Sequence, residues 1–160
     1  MRLITAGLFM LLLTSGANAK NVAVPERNPV ITMVFPDSWK ATEIERGYDA
    51  VSPDDGVYFS VESAPMSQKD QLVDENNKWM ASNSITPISR TTSALNIDGI
   101  SCGFVKIAAK DGNGPTKIDF VVCPVSGDRL LMMTVWGSEK DRESNRTALD
   151  GIESSIKAIR

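Results

Sequence analysis

The chain contains no histidine. That absence removes the side chain that most often moves protons near neutral pH, the usual zinc ligand, and the middle member of any Ser/His/Asp or Cys/His catalytic arrangement. There are only two cysteines, Cys102 and Cys123, too far apart for the C-x-x-C spacing of a redox pair. Runs of lysine and arginine are missing, and the balance of 17 Lys+Arg against 20 Asp+Glu is acidic. Nucleic acid and anionic membrane surfaces are therefore poor partners. No apolar run after the amino terminus approaches the length of a spanning helix. What remains is ordinary, with 42% hydrophobic and 23% charged residues among 160, the composition of one globular domain and not of a disordered tail or a coiled coil.

Residues 1–19 combine Arg2, the apolar run Leu3 to Leu13 and the small-residue ending Ala17-Asn18-Ala19. The apolar stretch is too short for a hydrocarbon core of roughly 30 Å, and the A-x-A ending supplies a cleavage site, so the segment reads as a secretory signal peptide. The mature chain is expected to begin at Lys20 with 16 basic and 20 acidic residues, a net charge of −4. No cysteine follows the apolar run to carry a lipid anchor. Export, in a bacterium to the periplasm, is the expectation, with no membrane span after cleavage.

Residues 20–29 read as an extended lead-in and residues 30–160 as a single α+β domain. Strands are predicted over 30–35, 41–45, 48–52 and 57–63, separated by Pro36-Asp37, Arg46-Gly47 and Pro53-Asp54-Asp55-Gly56. The period then changes. Leu72, Val73, Asn76, Trp79 and Met80 share one face of a helix over about 67–82, with Ser67 as its cap and Asp70 placed for a capping box. Four strands, about 90–97, 100–109, 116–124 and 129–136, follow with joints short enough for a meander. A last helix capped by Ser138 carries the stripe Leu149, Ile152, Ile156 and Ile159, with Gly151 placed to allow close contact between helix and sheet.

The third joint fixes a register. If the hairpin is symmetric about Asp111-Gly112-Asn113-Gly114, opposed residue numbers sum to 225. That register sets Phe104 against Val121, Lys106 against Asp119 and Cys102 against Cys123. An apolar pair and an opposite-charge pair thus arise from a register chosen by the loop alone. Directly opposed residues have Cα atoms about 4.5 to 5.5 Å apart, within reach of a disulfide. A Cys102–Cys123 disulfide is predicted, consistent with export.

Catalytic patterns fare poorly. Gly99-Ile100-Ser101-Cys102-Gly103 has the G-x-S-x-G form but opens a strand after an Asp-Gly turn, with no helix following and no histidine to accept a proton. Ser154 and Lys157 match S-x-x-K without the motifs that accompany it in β-lactamase-type enzymes. Asn145-Arg146-Thr147 has the form of a glycosylation sequon but falls within a helical pattern. Asp37, Glu43, Glu45, Asp54 and Asp55 concentrate acid in the first third, where turn-forming and solubility roles compete with a carboxylate-built calcium or magnesium site. No loop has EF-hand spacing, and no cofactor or metal is assigned. The tryptophans read as core or core-edge residues, and Trp39, Tyr48 and Tyr58 are a candidate ligand groove.

The order of pieces resembles the Mog1/PsbP-like domains over about residues 30–159. The resemblance rests on Phe35-Pro36-Asp37-Ser38-Trp39, Val51-Ser52-Pro53-Asp54, the single helix at 67–82, Ile97-Asp98-Gly99 and Ile152-Glu153-Ser154-Ser155-Ile156. It implies an antiparallel sheet between helices, an α/β/α sandwich, and a binding or assembly role without an active site. The expectation is an exported, non-catalytic binding or accessory module with a protein partner in the periplasm. A hydrolase using Asp37, Asp54 or Asp55, with or without a divalent cation, and a small-ligand or lipid carrier with an apolar cavity are the alternatives.

Overall fold

The structure, a computed structural model, describes residues 19–159; apart from Ala19, the expected signal peptide lies outside the described residues. Val22 and Val24 alternate with more exposed neighbours, and that alternation makes β1 (Ala19–Val24) a strand. It pairs antiparallel with β2 (Ile31–Pro36), whose Ile31, Met33 and Phe35 are buried. Half of the expected lead-in is therefore part of a sheet.

β3 (Lys40–Ile44), β4 (Gly47–Val51) and β5 (Val57–Pro65) pair successively in antiparallel register. A Cβ on Gly47 would stand 1.9 Å from the Val61 carbonyl oxygen, so only glycine lets β4 begin this close to β5. The loop before β5 is tied by Asp54, whose Oδ1 accepts from Ser52 Oγ at 2.5 Å and Gly56 N at 3.2 Å. A single 3-10 turn, Met66–Gln68, leads into α1 (Lys69–Ser82). Ser67 lies inside that turn, and α1 receives no side-chain cap, so the expected capping box does not form.

β6 (Thr86–Ile97), β7 (Ile100–Asp111), β8 (Gly114–Val125) and β9 (Arg129–Gly137) form the expected meander. Every β7–β8 pair from Gly103–Val122 to Asp111–Gly114 keeps the predicted register. β9 inserts beside β5, giving a seven-stranded sheet in the order β3-β4-β5-β9-β8-β7-β6 with all neighbours antiparallel.

The closing helix is two helices. α2 (Glu139–Ser144) starts at Ser138, whose Oγ accepts from Asp141 N at 3.2 Å. The chain breaks at Asn145, and α3 (Arg146–Ser154) follows. Asn145 Nδ2 donates to Asp141 O at 3.0 Å and to Asp54 Oδ2 at 3.1 Å, pinning the break to the loop before β5. α3 stops before the predicted stripe is complete. Ser155 Oγ donates to Ile152 O at 2.6 Å and accepts from Val34 N at 2.9 Å, after which β10 (Lys157–Ala158) pairs with β2. Ile156 stays buried, whereas Ile159 is 37% exposed. Gly151 faces open space, so it does not mediate a close helix-to-sheet contact.

The fold is α+β and mostly antiparallel sheet. Alternate residues of β9 divide it into faces. Leu131, Met133 and Val135 join Phe59, Val61, β2, Leu149 and Ile152 on one side. Leu130 and Met132 pack with Leu72 on the other, where Met80 also covers Ile107, Ile118 and Phe120. The β1–β2 pair and α3 thus lie over one face and α1 over the opposite one. β6, at the sheet's end, is exposed along most of its length.

Candidate functional site

α3 buries Leu149 and Ile152 against the centre of the sheet, and beside it the same face opens towards β6 and β7. The result is a cleft of about 530 Å³, continuous through Asp119, Asp150 and Glu153 with a second cavity of about 490 Å³ under α2. Its floor includes Leu95, Ile97, Phe104 and Val121, all half-buried. Strand register puts them together: Phe104 opposes Val121, and Leu95 opposes Cys102, on a common face.

The walls are charged and unevenly paired. Arg142 of α2 donates from Nη2 to Asp119 Oδ2, Lys117 pairs with Glu139, and Arg146 pairs with Glu143. At one end Lys157 Nζ lies 3.9 Å from Asp98 Oδ1. Asp150 and Glu153, three residues apart and so on one side of α3, line both cavities, and neither carboxylate forms an ion pair or hydrogen bond among the described residues, Arg146 acting on Asp150 and Arg142 on Glu153 only from longer range. Burial in the cleft wall raises the Glu153 carboxyl above its ordinary pKa, and nearby Asp150 and Asp119 add to the rise against the opposing pull of Arg142. Lys106 opposes Asp119 in register as expected but does not neutralise it. Its Nζ stands 4.9 Å from the Phe104 ring centroid, and Arg142 holds Asp119 instead.

The Cys102–Cys123 disulfide is present, with Cα atoms 4.3 Å apart, one position beyond the last backbone pair of the β7–β8 ladder. Both cysteines are buried beside Leu95, so the bridge ties down one end of the cleft floor.

The aromatic groove does not assemble. Trp39 and Tyr48 are 5% and 6% exposed and belong to the core on the α3 side. Tyr48 opposes Val61, so it points to the face that Tyr58, an odd step away on β5, does not share. Tyr58 instead stacks on Trp79 at 5.2 Å, while Trp136 meets both rings edge-on. Trp136 Nε1 donates to Thr116 Oγ1 at 3.0 Å and Asp111 Oδ2 at 3.2 Å.

The acids proposed for hydrolysis are dispersed. Asp54 is bound into its own loop, which lowers its pKa, and Asp55 pairs with Lys40 at 3.3 Å. Asp37 sits in the turn after β2. Glu43 lies beside Glu26, which raises the Glu43 pKa through a shared hydrogen bond. Ser101 lies within extended β7, and Ser154 Oγ donates to Gly151 O at 3.2 Å while Lys157 has left the helix. Among the described residues, no group of three or more Cys, Asp or Glu side chains is placed to hold a metal ion.

In the sequence Asp119 is marked only as the register partner of Lys106, Glu153 only as part of the Ile152-to-Ile156 resemblance, and Asp150 belongs to no motif. Their signal was present: Asp150 and Glu153 each follow a stripe residue, Leu149 and Ile152, by one step, which places two acids on one flank of a buried helix stripe.

A second polar cavity, about 220 Å³, lies under α1. Arg46 donates there to Glu62 Oε1 at 3.0 Å and also to Glu75, beside Asp49 and Tyr58. Burial pushes up the pKa of both Tyr58 and Glu62.

No protein-family model matches the chain, and no curated protein matches it significantly. Solved structures do. Cyanobacterial PsbP (CyanoP) from Synechocystis sp. PCC 6803 superposes with a TM-score of 0.60 at 11% identity, covering 98% of this chain and 99% of that one. LpqN of Mycobacterium tuberculosis, described as involved in cell envelope biogenesis, gives a TM-score of 0.59 at 13% identity over 89% of this chain and 92% of its own. The fold is that of the PsbP/Mog1-like proteins.

Proposed function

We propose that this chain is an exported, non-catalytic binding module that receives a segment of a protein partner in the cleft beside α3. One observation carries the reading. Half-buried apolar residues lie next to two carboxylates that no ion pair or hydrogen bond among the described residues satisfies, towards the exposed end strand β6. A packed enzyme site would need a nucleophile or an acid–base pair in mutual reach, and Asp37, Asp54 and Asp55 are spent separately in turns and an ion pair. A carrier would need an enclosed apolar chamber, whereas the core clusters are closed and the cleft is open. The layering of α1, the large sheet and α3 with β1–β2 favours an α/β/α sandwich as the scaffold. A periplasmic location agrees with the disulfide, and among the described residues no helix is long and apolar enough to cross a membrane.

The test is photo-crosslinking in living cells, with the photoreactive residue placed at Val121 on the cleft floor or at Val73, which is 41% exposed on α1. Discrete protein adducts from position 121 and none from 73 are expected. Equal labelling from both, or none from 121, would reject the cleft as the binding surface.

A further inference from the structure

Both parts of the cleft run out to β6: Leu95, Asn96 and Ile97 line the larger cavity, and Ser89 and Thr91 line its neighbour. Among the described residues β6 has a strand partner only on its β7 side. Its other side presents the backbone donors and acceptors of a twelve-residue strand, Thr86–Ile97, to solvent. Natural sheets blunt such an edge with charge, proline or a bulge; β6 has Pro87 and a bulge between Pro87 and Ser89 at its start and a single charged residue, Arg90, so Thr91 to Ile97 are left without such protection. Arg90 opposes Ile107, which packs under α1, so its side chain projects to the face away from the cleft. On the cleft side β6 offers only Ser89, Thr91, Ser93, Leu95 and Ile97, which leave the edge uncharged there.

Resting on the binding-module reading, we infer that the partner's segment is an extended peptide, adding as an eighth strand to β6, whose every second residue is by turns a lysine or arginine and a small aliphatic residue. The period of two decides the pattern. An added strand directs every second side chain to the cleft face, where Asp150 and Glu153 attract cations and Leu95, Ile97, Phe104 and Val121 accept aliphatic groups. Charge complementarity selects against an acidic segment, which would meet those two unpaired carboxylates. The free strand edge selects a polypeptide over a small cationic amphiphile, because only a polypeptide can continue the backbone ladder.

The probe is a fluorescein-labelled nine-residue peptide with lysine and valine by turns at every second position and serine between them, titrated by anisotropy against the mature chain, residues 20–160, with its disulfide intact. Three companions complete the set: the same peptide with glutamate for lysine, the lysine peptide N-methylated on alternate amides, and octylammonium as competitor. The lysine peptide is expected to bind about tenfold tighter than the glutamate peptide, with affinity falling as salt rises. Asp150→Asn with Glu153→Gln should weaken it about fivefold, and N-methylation on the pairing ridge should abolish it. Both substituted positions are exposed, and retained thermal unfolding of the double variant confirms that its fold survives. Equal binding of lysine and glutamate peptides, or an unchanged affinity in the double variant, would overturn the inference. So would indifference to N-methylation together with full displacement by octylammonium, which would identify a small amphiphile instead. If crosslinks form at Val121 while these peptide results fail, the partner chemistry is wrong and the binding-module reading stands; loss of both removes both.

Discussion

Two arginines, each with three carboxylates nearby, sit on opposite faces of the same sheet and end in different states. Under α1, Arg46 bonds Glu62 and Glu75 together, with Asp49 beside them in a cavity of about 220 Å³. Beside α3, Arg142 is committed to Asp119 alone, and Asp150 and Glu153 face cavities of about 490 and 530 Å³ without a partner. Similar residue types thus satisfy Glu62 and Glu75 in one place, although Asp49 Oδ1 stays buried without a hydrogen bond, and leave an unbalanced field in the other. The difference is geometric: Arg46 bonds two acids from adjacent elements, whereas Arg142 on α2 bonds only Asp119 and lines the same cavity as Asp150 and Glu153 without bonding either. A charge set left unbalanced in its own fold is one that a ligand can complete, which is why function is assigned to the open side.

The largest test of that contrast uses one residue type in both places. Leu72 is 1% exposed under α1, and Leu95 is half-buried on the cleft floor. Leu72→Ala should cost about 2 to 5 kcal/mol by lost burial and cavity formation. Leu95→Ala should cost about 1 kcal/mol, since part of its surface is already in water. Denaturant unfolding of the two variants measures both, and a Leu95→Ala cost equal to that of Leu72→Ala would show that the cleft floor is core.

Next in size is the disulfide, which supports the open half. Replacing both cysteines, Cys102→Ser with Cys123→Ser, should cost about 3 kcal/mol on the chain-entropy estimate. Hydrogen exchange should rise in β6, β7 and β8 well before it rises in β4 and β5. Uniform loss of protection across the sheet would mean that the two halves unfold as one unit.

The meander was the most legible part of the sequence because a short loop and period-two side chains fix register locally, and Cys102–Cys123 follows from that register alone. The closing segment was less legible, since distant residues override its helical pattern. Asn145 breaks it by bonding Asp54, and Ser155 ends it by accepting the Val34 amide. The candidate site was the least legible. Its apolar floor and Asp119 could be paired by register, but the emptiness beside Asp150 and Glu153 depends on how far α3 extends over the sheet, which no local pattern states.

The smallest expected effect bears directly on whether the open side trades stability for binding. The Glu153 carboxyl has its folded pKa raised, so its ionised form is less favourable in the folded chain than in the unfolded one. That cost is present at neutral pH and disappears as pH falls through the raised folded pKa, where the folded chain binds the proton first. Glu153→Gln should therefore stabilise the chain at pH 7 by no more than about 1 kcal/mol for a solvent-accessible charge, seen as a small rise in Tm. The advantage should shrink towards zero on acidification through that window. Glu62, also raised by burial, is left in place and contributes equally to both proteins, so the difference between the two melting curves isolates Glu153. A variant that is more stable at pH 7 yet binds the lysine peptide more weakly would mark Glu153 as a group retained for recognition at the expense of stability. A variant that is less stable at pH 7 would place Glu153 in the same satisfied class as the carboxylates around Arg46, and the contrast between the two faces would lose its electrostatic basis.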